Sequence, residues 1–344
     1  MFEALGCLLM SDKTPSTIFV IGRARSGTTL LTCILNRHPK IHIPIETHFI
    51  IHLLNKYKGG LTNNSIDEFV DDLFSEPSMH LRTIQNSVLK DKIKSAGYKS
   101  FEDLCHAVLG YDAEYHPILG NKSTLYVLFT NKLLKNFPTA KFIWIIRDYR
   151  AQINSMLKVN FEAHNVPSLA IRWKRFNETV LKAQKCNPGR IYLVRYEDLV
   201  TETEQEVKKI CGFLELDVNP SMWSRKSLQN QNEIKIRFQS KLAYPINTDY
   251  IEQWKQELSE EQVSVIEKIC GEAGSNFGYY TSKMKLSSLP ISSWFGLVYG
   301  QAYLWYFRVL YRLPIKVRSY VMRIFYKHSK NWKQIREDLS NNCV

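Results

Sequence analysis

Four short, mostly apolar runs are the most regular feature of the chain. They span residues 18–21, 41–43, 141–146 and 191–194. Runs of this length are too short for most helices and are typical of buried strands. Apolar residues at helical spacing follow the first, third and fourth runs, so strands and helices alternate along the chain. This alternation predicts an α/β fold in which helices flank a parallel sheet.

A long segment, residues 50–119, interrupts this alternation. Its apolar residues occur at helical spacing between polar stretches, and we find no strand pattern in it. Ser65 and Ser100 stand at positions where their hydroxyls would cap the first turns of helices. We therefore predict a helical insertion within the α/β body.

The last sixty residues differ from the rest. Residues 286–307 carry no charge and include seven aromatic side chains. Their length would allow a membrane span, but Pro290, two glycines and four serines make it a poor one. Beyond Pro314, apolar residues recur among basic ones, at Val317, Val321, Ile324, Phe325, His328, Trp332 and Ile335. Two interpretations remain open: a basic amphipathic helix on a membrane surface, or a helix packed on its own domain with a solvated basic face.

Composition restricts the class of protein. An apolar content of 44% and a charged content of 23% are ordinary for a globular protein. The net charge of +13 is uneven, since residues 308–338 hold nine Lys and Arg against two acids. The seven cysteines are scattered and form no Cys-x-x-Cys pair, which favours a reducing compartment. We expect a cytoplasmic protein, with peripheral membrane association left open, and no nucleic-acid partner.

The loop after the first strand carries the clearest chemical signal. Gly22 and Gly27 are separated by four residues, as in the phosphate-binding loop of nucleotide enzymes. Thr28 follows Gly27 where an ATP-binding loop has lysine, and Arg25 supplies a positive charge inside the loop instead. Backbone N–H groups and a helix start would still hold a phosphate here. The loop is poorly suited to a magnesium-bound triphosphate but fits a 5′-phosphate that carries another group.

This loop, written Arg-Ser-Gly-Thr-Thr, resembles that of the sulfotransferases that use 3′-phosphoadenosine-5′-phosphosulfate (PAPS). The resemblance is to the branch with tyrosylprotein sulfotransferases and many bacterial relatives, and it covers residues 17–280. It implies a sulfotransferase domain at residues 17–284, after a leader of residues 1–16 and before a C-terminal helical appendage at residues 285–344. In that family the insertion at residues 50–119 would lie on the acceptor side.

The resemblance also implies which residues bind the donor. The 5′-phosphosulfate would lie against the loop, the 3′-phosphate against an arginine and a serine that follow the third predicted strand, and the adenine near a tyrosine. A later polar loop would fold over the nucleotide. The implied donor-binding residues are Arg25, Ser26, Gly27, Thr28, Thr29, Arg147, Ser155, Tyr196, Ser240 and Lys241.

Two residues are candidates for catalysis. Glu46 follows the second predicted strand and, on the residues alone, is a surface acid, a partner for a nearby arginine or a general base. Lys122 precedes a predicted helix, where a cation is electrostatically misplaced unless an anion binds there. The resemblance implies that Glu46 is the base and that Lys122 neutralises the oxygen between phosphate and sulfur, so that no metal is required. His48 stands where the tyrosylprotein branch has arginine, so its preference for acidic peptides does not carry over.

The expected activity is transfer of a sulfuryl group from PAPS to a hydroxyl or amine acceptor of unknown class by in-line displacement. Two alternatives remain: a P-loop kinase for small molecules, and a non-catalytic scaffold that binds membranes through residues 285–344.

Overall fold

Five parallel strands form a single sheet in the computed structural model, which describes residues 16–61, 65–113, 116–159, 164–224, 248–282 and 288–328. In chain order the strands are β1 (Ser16–Ile21), β2 (Ile41–His42), β3 (Ile118–Ser123), β4 (Lys141–Ile146) and β5 (Ile191–Arg195). Their order across the sheet is β2-β3-β1-β4-β5, which places β1 at the centre. The predicted α/β class and parallel sheet are confirmed.

The prediction missed β3. This strand reads Ile-Leu-Gly-Asn-Lys-Ser and looks polar in its second half, although all six residues are buried. It pairs with β1 on one side and with β2 on the other. Lys122 therefore lies in a strand that the sequence analysis did not predict. The helical segment expected after it is present, because a 3₁₀ helix begins at Thr124. The polar side chains at this end of β3 are tolerated because neighbouring residues satisfy them, as Glu46 does for Lys122 and His48 for Ser123.

Fourteen helices are found among the described residues. The first nine are α1 (Thr28–Leu35), α2 (Phe49–Tyr57), α3 (Ile66–Phe74), α4 (Asn86–Ser95), α5 (Phe101–Leu109), α6 (Thr130–Asn136), α7 (Tyr149–Met156), α8 (Val166–Cys186) and α9 (Tyr196–Thr201). The others are α10 (Thr203–Leu214), α11 (Trp254–Glu257), α12 (Glu260–Ser275), α13 (Ile291–Leu310) and α14 (Ile315–His328). Short 3₁₀ helices span Pro77–Leu81, Thr124–Phe129, Pro220–Met222 and Asp249–Ile251.

Both faces of the sheet are covered, because alternate residues of its strands enter two separate cores. Phe19 and Trp144 point into the larger core, which includes residues of α7, α8 and α12. Val20 and Ile145 point into the smaller core, which includes residues of α1, α9 and α10. Buried on both sides, the strands cannot shift by one residue without exchanging these two sets.

The predicted insertion is helical, since α2 to α5 occupy most of residues 50–119, but its last two residues, Ile118 and Leu119, already belong to β3. Ser65 and Ser100 cap α3 and α5 as predicted, each accepting a hydrogen bond from the backbone N–H three residues later. A hydroxyl in this position satisfies one of the amides that the first helical turn leaves unpaired. The cap residues therefore fix where the two helices begin.

The C-terminal appendage packs on the body through its small and polar residues. A Cβ atom at Gly300 would lie 2.4 Å from Ile171 Cγ2, so α13 and α8 approach closely there. On α14, the guanidinium of Arg318 is buried against His52, and Ser319 Oγ lies 3.0 Å from Ser75 Oγ. The inner faces of α13 and α14 therefore pack on the protein's own domain, which is one of the two interpretations of the tail.

The apolar stripe predicted for α14 is only partly correct. Ile315 and Met322 are buried, whereas Val317 and Ile324 are exposed. Phe325 and His328 lie in the helix without described side chains, and Trp332 and Ile335 lie outside the described residues. The packed face of α14 was not recognised from the sequence because the residue that anchors it is an arginine, Arg318, which a search for apolar positions overlooks.

No helix in the described part of the chain is both long enough and apolar enough to cross a membrane.

Candidate active site

The loop between β1 and α1 is shaped by two backbone positions of positive φ. Arg25 has φ of 67° and Gly27 has φ of 94°. The second favours glycine, and a Cβ atom at Gly27 would also lie 2.5 Å from the Tyr196 ring. At Gly22 a Cβ atom would lie 2.6 Å from the carbonyl oxygen of Ile145. The loop thus packs tightly against β4 and α9 and leads directly into the amino terminus of α1, whose first-turn amides have no partner within the helix.

Two arginines meet beside this loop. Arg25 Nε donates to Ser155 Oγ at 3.0 Å, and Arg147 donates to the carbonyl oxygen of Arg25 at 3.2 Å and to that of Tyr250 at 2.5 Å. These acceptors are neutral, so neither guanidinium charge is compensated by them. Burial lowers the pKa of Arg25, and the charge of Arg147 lowers it further. Two adjacent cations held in this way form a site for an anion.

Tyr196 completes this side of the site. The Arg147 guanidinium carbon lies 4.4 Å from the centre of the Tyr196 ring, within the range of a cation–π contact. The ring also covers Gly27 and is largely buried. Arg25, Gly27, Arg147, Ser155 and Tyr196 are therefore brought together around one loop, although they come from separate parts of the chain.

The two candidate catalytic residues form an ion pair at the end of β3. Lys122 Nζ lies 2.6 Å from Glu46 Oε2, and the lysine side chain is almost completely buried. The other carboxylate oxygen of Glu46 accepts hydrogen bonds from the backbone N–H of Thr124 at 2.9 Å and from its hydroxyl at 3.2 Å. Glu46 therefore has a fixed position and orientation.

These contacts set the protonation state of Glu46. Burial by itself would raise the pKa of its carboxyl, but Lys122, His48 and the hydrogen bonds from Lys122 and Thr124 lower it from the usual 4.5 to about 2. Glu46 is thus ionised at neutral pH.

The strand register relates the ion pair to the loop. Lys122 is paired with Val20 in β1, and Ser123 with Ile21, the residue immediately before Gly22. The carboxyl ends of the two strands therefore coincide, which is the edge where open parallel sheets bind ligands. Arg147 follows the end of β4 at the same edge.

The remaining predicted residues divide into two groups. Ser26 and Thr28 are buried in the loop and the first turn of α1, and Thr29 is half-buried in the same turn. Ser240 and Lys241 lie outside the described residues. The loop at residues 230–247 that was expected to cover the nucleotide also lies outside the described residues and therefore stays a prediction.

The prediction also missed residues that hold the site in place. Thr124 orients Glu46, and Gln152 Nε2 donates to the carbonyl oxygen of Ala24 in the loop at 2.6 Å. The imidazole Nδ1 of His48 lies 2.8 Å from Ser123 Oγ. Recognising β3 would have revealed the role of Thr124, because its register puts the residue after Ser123 at the ligand edge of the sheet.

Comparisons with known proteins agree with this geometry. A sequence model described as the sulfotransferase family matches residues 15–220, more than half of the chain. A putative protein-tyrosine sulfotransferase of Caenorhabditis briggsae is 27% identical over 285 residues, covering 80% of this chain and 93% of that protein. The protein-tyrosine sulfotransferase of Drosophila melanogaster is 24% identical over 257 residues, covering 72% of this chain and 48% of that protein.

Among solved structures, the sulfotransferase domain of the Synechococcus olefin synthase superposes with a TM-score of 0.52. It is 21% identical, and the match covers 82% of this chain and 98% of that domain. This likeness confirms the fold, and with it the P-loop-type sheet expected from the sequence. The chain belongs to the sulfotransferase family.

Proposed function

We propose that this protein transfers the sulfuryl group of PAPS to a hydroxyl acceptor, with Glu46 as general base. Family membership supports sulfuryl transfer as the chemistry. The observation that carries the finer proposal is that one edge of the sheet holds two arginines and an ionised glutamate. Arg25 and Arg147 have no carboxylate partner in the part of the chain that the structure describes, and Glu46 is ionised.

The residues at this edge fit a donor with two separate phosphate groups. The loop from Gly22 to Gly27 and the amino terminus of α1 suit the 5′-phosphosulfate. Arg147 and Ser155 suit the 3′-phosphate, and the Nε atom of Arg147 is buried with no hydrogen-bond partner among the described residues. A guanidinium with a donor to spare is well suited to a phosphate oxygen. The Tyr196 ring beside Arg147 supplies an aromatic surface for the adenine.

The proposed reaction assigns one role to each member of the ion pair. The donor supplies an electrophilic sulfur and a phosphate leaving group. Glu46 takes the proton of the acceptor hydroxyl as its oxygen forms a bond to sulfur. Lys122 places its charge on the bridging oxygen as the bond from sulfur to that oxygen breaks, leaving adenosine 3′,5′-bisphosphate. Prearranged charges of this kind commonly supply much of the rate in group transfer.

The contact between the two residues also gives a physical order of events. While Lys122 lies on Glu46, the carboxylate is a weak base, with a pKa of about 2. Movement of the ammonium toward the donor would remove that stabilisation and raise the basicity of Glu46. The base would therefore strengthen only when the donor is in place.

A kinase reaction is not favoured. Thr28 occupies the position of the lysine of ATP-binding loops. Asp148, the acid that follows the end of β4, is engaged by Arg150 through hydrogen bonds of 3.0 and 2.7 Å, so its carboxylate is not free for magnesium. A purely non-catalytic role is not favoured either, because membership of the sulfotransferase family supports sulfuryl transfer.

The first acceptor to test is a tyrosine phenol, because the matched relatives are named for protein tyrosine. His48, whose Nδ1 lies 2.8 Å from Ser123 Oγ, stands where the tyrosylprotein branch carries arginine. We therefore expect little dependence on acidic residues around the acceptor tyrosine.

The test is transfer from radiolabelled PAPS, first to tyrosine peptides with acidic and neutral flanks and then to small phenols and alcohols. Calorimetry with adenosine 3′,5′-bisphosphate and with ATP–magnesium would be done in parallel. We expect label in a hydroxyl acceptor, binding of the bisphosphate and no comparable binding of ATP–magnesium. Tight ATP–magnesium binding together with indifference to the bisphosphate would refute the donor assignment.

A further inference from the structure

Helix α13 carries a continuous apolar stripe on the side that points away from the domain. Its exposed members are Ile291, Trp294, Phe295, Val298 and Trp305. The other four lie 3, 4, 7 and 14 residues after Ile291, which puts all five on one face of a helix about 30 Å long. Trp294 is 59% exposed, Phe295 77% and Trp305 68%. Large apolar side chains in such a row mark a surface that binds a partner.

The opposite face of α13 is held firmly by the domain. A Cβ atom at Gly296 would lie 2.3 Å from Asn165 Oδ1, and the Arg172 guanidinium carbon lies 4.1 Å from the centre of the Tyr303 ring. Small residues thus allow α13 to pack closely on α8, while the larger aromatic side chains point outward. The stripe is therefore presented by a rigid element and cannot be buried by a simple rotation of the helix.

The exposed face of α14 has another composition. Val317, Tyr320 and Ile324 are exposed there, together with Lys316 and Arg323. The buried Arg318, whose guanidinium carbon is 5.2 Å from the centre of the Tyr311 ring, fixes the rotation of α14 that exposes them. Apolar and basic side chains are consequently mixed on a single face.

The charged residues of the chain segment that forms this surface have one sign. From residue 273 to residue 336 the chain contains eleven Lys and Arg and no Asp or Glu. Arg308, Arg312, Lys316 and Arg323 are among the exposed residues of the two helices and the turn between them. A partner that fits such a surface carries negative charge on its outside and has an apolar layer beneath that charge. Tryptophan and tyrosine are also the side chains that prefer the boundary between lipid headgroups and acyl chains.

We propose that the outer faces of α13 and α14, the aromatic-basic surface, dock this protein on an anionic lipid membrane. The helices would lie in the plane of the interface, with Trp294, Phe295 and Trp305 among the acyl chains and the basic residues on anionic headgroups. The proposal is independent of the reaction assigned to the site. Under this proposal both interpretations of the tail hold together. The inner faces of α13 and α14 pack on the domain, and their outer faces bind the membrane.

The test is flotation of the full chain with vesicles of phosphatidylcholine alone or phosphatidylcholine mixed with phosphatidylserine. The wild-type protein should bind the anionic vesicles more tightly. The triple variant Trp294→Ser/Phe295→Ser/Trp305→Ser should lose at least about 100-fold in affinity, because three buried aromatic contacts are removed. The variant Arg308→Gln/Lys316→Gln/Arg323→Gln should lose more than about tenfold, and on anionic vesicles only.

A matched control uses exposed apolar residues outside the tail. Val88 is 47% exposed, Val218 42% and Tyr280 74%, and the variant Val88→Ser/Val218→Ser/Tyr280→Ser should bind vesicles as the wild type does. Both serine variants should keep the wild-type melting temperature, because every substituted side chain is exposed.

Three results would overturn the proposal. The first is absence of wild-type binding to anionic vesicles, or binding that the aromatic and basic variants leave unchanged. The second is a dimer in analytical ultracentrifugation that the aromatic variant dissociates, which would assign the stripe to a second copy of the chain. The third is a large fall in melting temperature in the aromatic variant, which would mean that another part of the chain covers the stripe.

Discussion

Lys122 Nζ lies 2.6 Å from Glu46 Oε2, and this pair joins the end of β3 to the segment after β2. The lysine is almost completely buried and the carboxylate is 27% exposed, so the attraction between them is only weakly screened. In the proposed reaction the two residues act on opposite ends of the sulfuryl transfer. Their contact therefore couples the acceptor side of the site to the donor side.

The first prediction concerns Glu46. Replacing Glu46 with glutamine should reduce turnover at least ~100-fold, since a general base contributes about 100- to 10,000-fold. Binding of adenosine 3′,5′-bisphosphate should be unchanged or tighter, because a negative charge near the anion site is removed and Lys122 is released. Turnover with radiolabelled PAPS and calorimetry with the bisphosphate measure the two effects separately.

Glu102→Gln is the matched control for Glu46→Gln. Glu102 accepts a hydrogen bond from Thr17 at 3.0 Å, near the opposite end of β1, and burial raises the pKa of its carboxyl. A glutamine can accept the same bond, so this variant should keep wild-type turnover. Near wild-type turnover in Glu46→Gln itself would remove Glu46 from the mechanism.

The second prediction concerns pH. The pKa of Glu46 is lowered from 4.5 to about 2 in the folded state, so the pair stabilises the protein fully above pH 4.5 and loses this effect as the pH falls toward 2. The shift corresponds to about 3 kcal/mol. Lys122→Met should therefore lower the free energy of unfolding by about 3 kcal/mol at pH 7, and by progressively less at pH 4 and below. Urea unfolding at several pH values measures the difference.

The double variant Lys122→Met/Glu46→Gln is the control for this experiment. It removes the unpaired buried carboxylate together with its partner, so it should recover most of the lost stability and show little dependence on pH. A deficit in Lys122→Met that stays constant from pH 7 to pH 4 and below would mean that lost packing, and not the ion pair, is responsible.

The sequence predicted those parts of the site that a single local pattern encodes. Gly22, Arg25 and Gly27 lie in one short loop, and Arg147 follows an unbroken apolar strand, so their positions were recognisable. β3 was not, because Asn121, Lys122 and Ser123 form a buried polar end that resembles a loop when read alone. Only the partners of these side chains, which are distant in sequence, make that strand stable.

In the tail, too, contacts between residues distant in sequence were not predictable from the local pattern. An apolar stripe was predicted along this helix, either on a membrane surface or packed on the domain, and the polar residues that anchor α14 are Arg318 and Ser319, through His52 and Ser75. These contacts join positions about 250 residues apart, and no local pattern contains them. Sequence periodicity located the helix but did not show which of its faces packs on the domain.

The third prediction concerns the loop backbone. Gly27→Ala should lower both the melting temperature and the affinity for adenosine 3′,5′-bisphosphate, because a methyl group would lie 2.5 Å from the Tyr196 ring at a position of positive φ. Gly189→Ala provides the control, since Gly189 also has positive φ, 77°, but a methyl group there would meet open space. It should lose only about 1 kcal/mol of stability and no affinity. Equal effects of the two substitutions would show that the contact with Tyr196 is unimportant.

The fourth prediction concerns the 3′-phosphate. Arg147→Ala should weaken binding of adenosine 3′,5′-bisphosphate by about 10- to 100-fold, the usual effect of losing a hydrogen bond to a charged group. Binding of adenosine 5′-monophosphate should change much less, because that ligand has no 3′-phosphate to lose. The ratio of the two affinities, measured by calorimetry on the same protein, is the informative quantity.

This ratio separates a specific contact from general damage to the site. Arg147 also donates to the carbonyl oxygens of Arg25 and Tyr250, so its removal could loosen the loop and weaken both ligands together. Arg147→Lys keeps one positive charge but loses the planar guanidinium group. Its preference for the bisphosphate over the monophosphate should lie between those of the wild type and Arg147→Ala. If both ligands weaken in parallel in both variants, Arg147 positions the loop and the 3′-phosphate is recognised elsewhere. If the affinity for the bisphosphate relative to the monophosphate falls stepwise from arginine to lysine to alanine, Arg147 binds the 3′-phosphate directly.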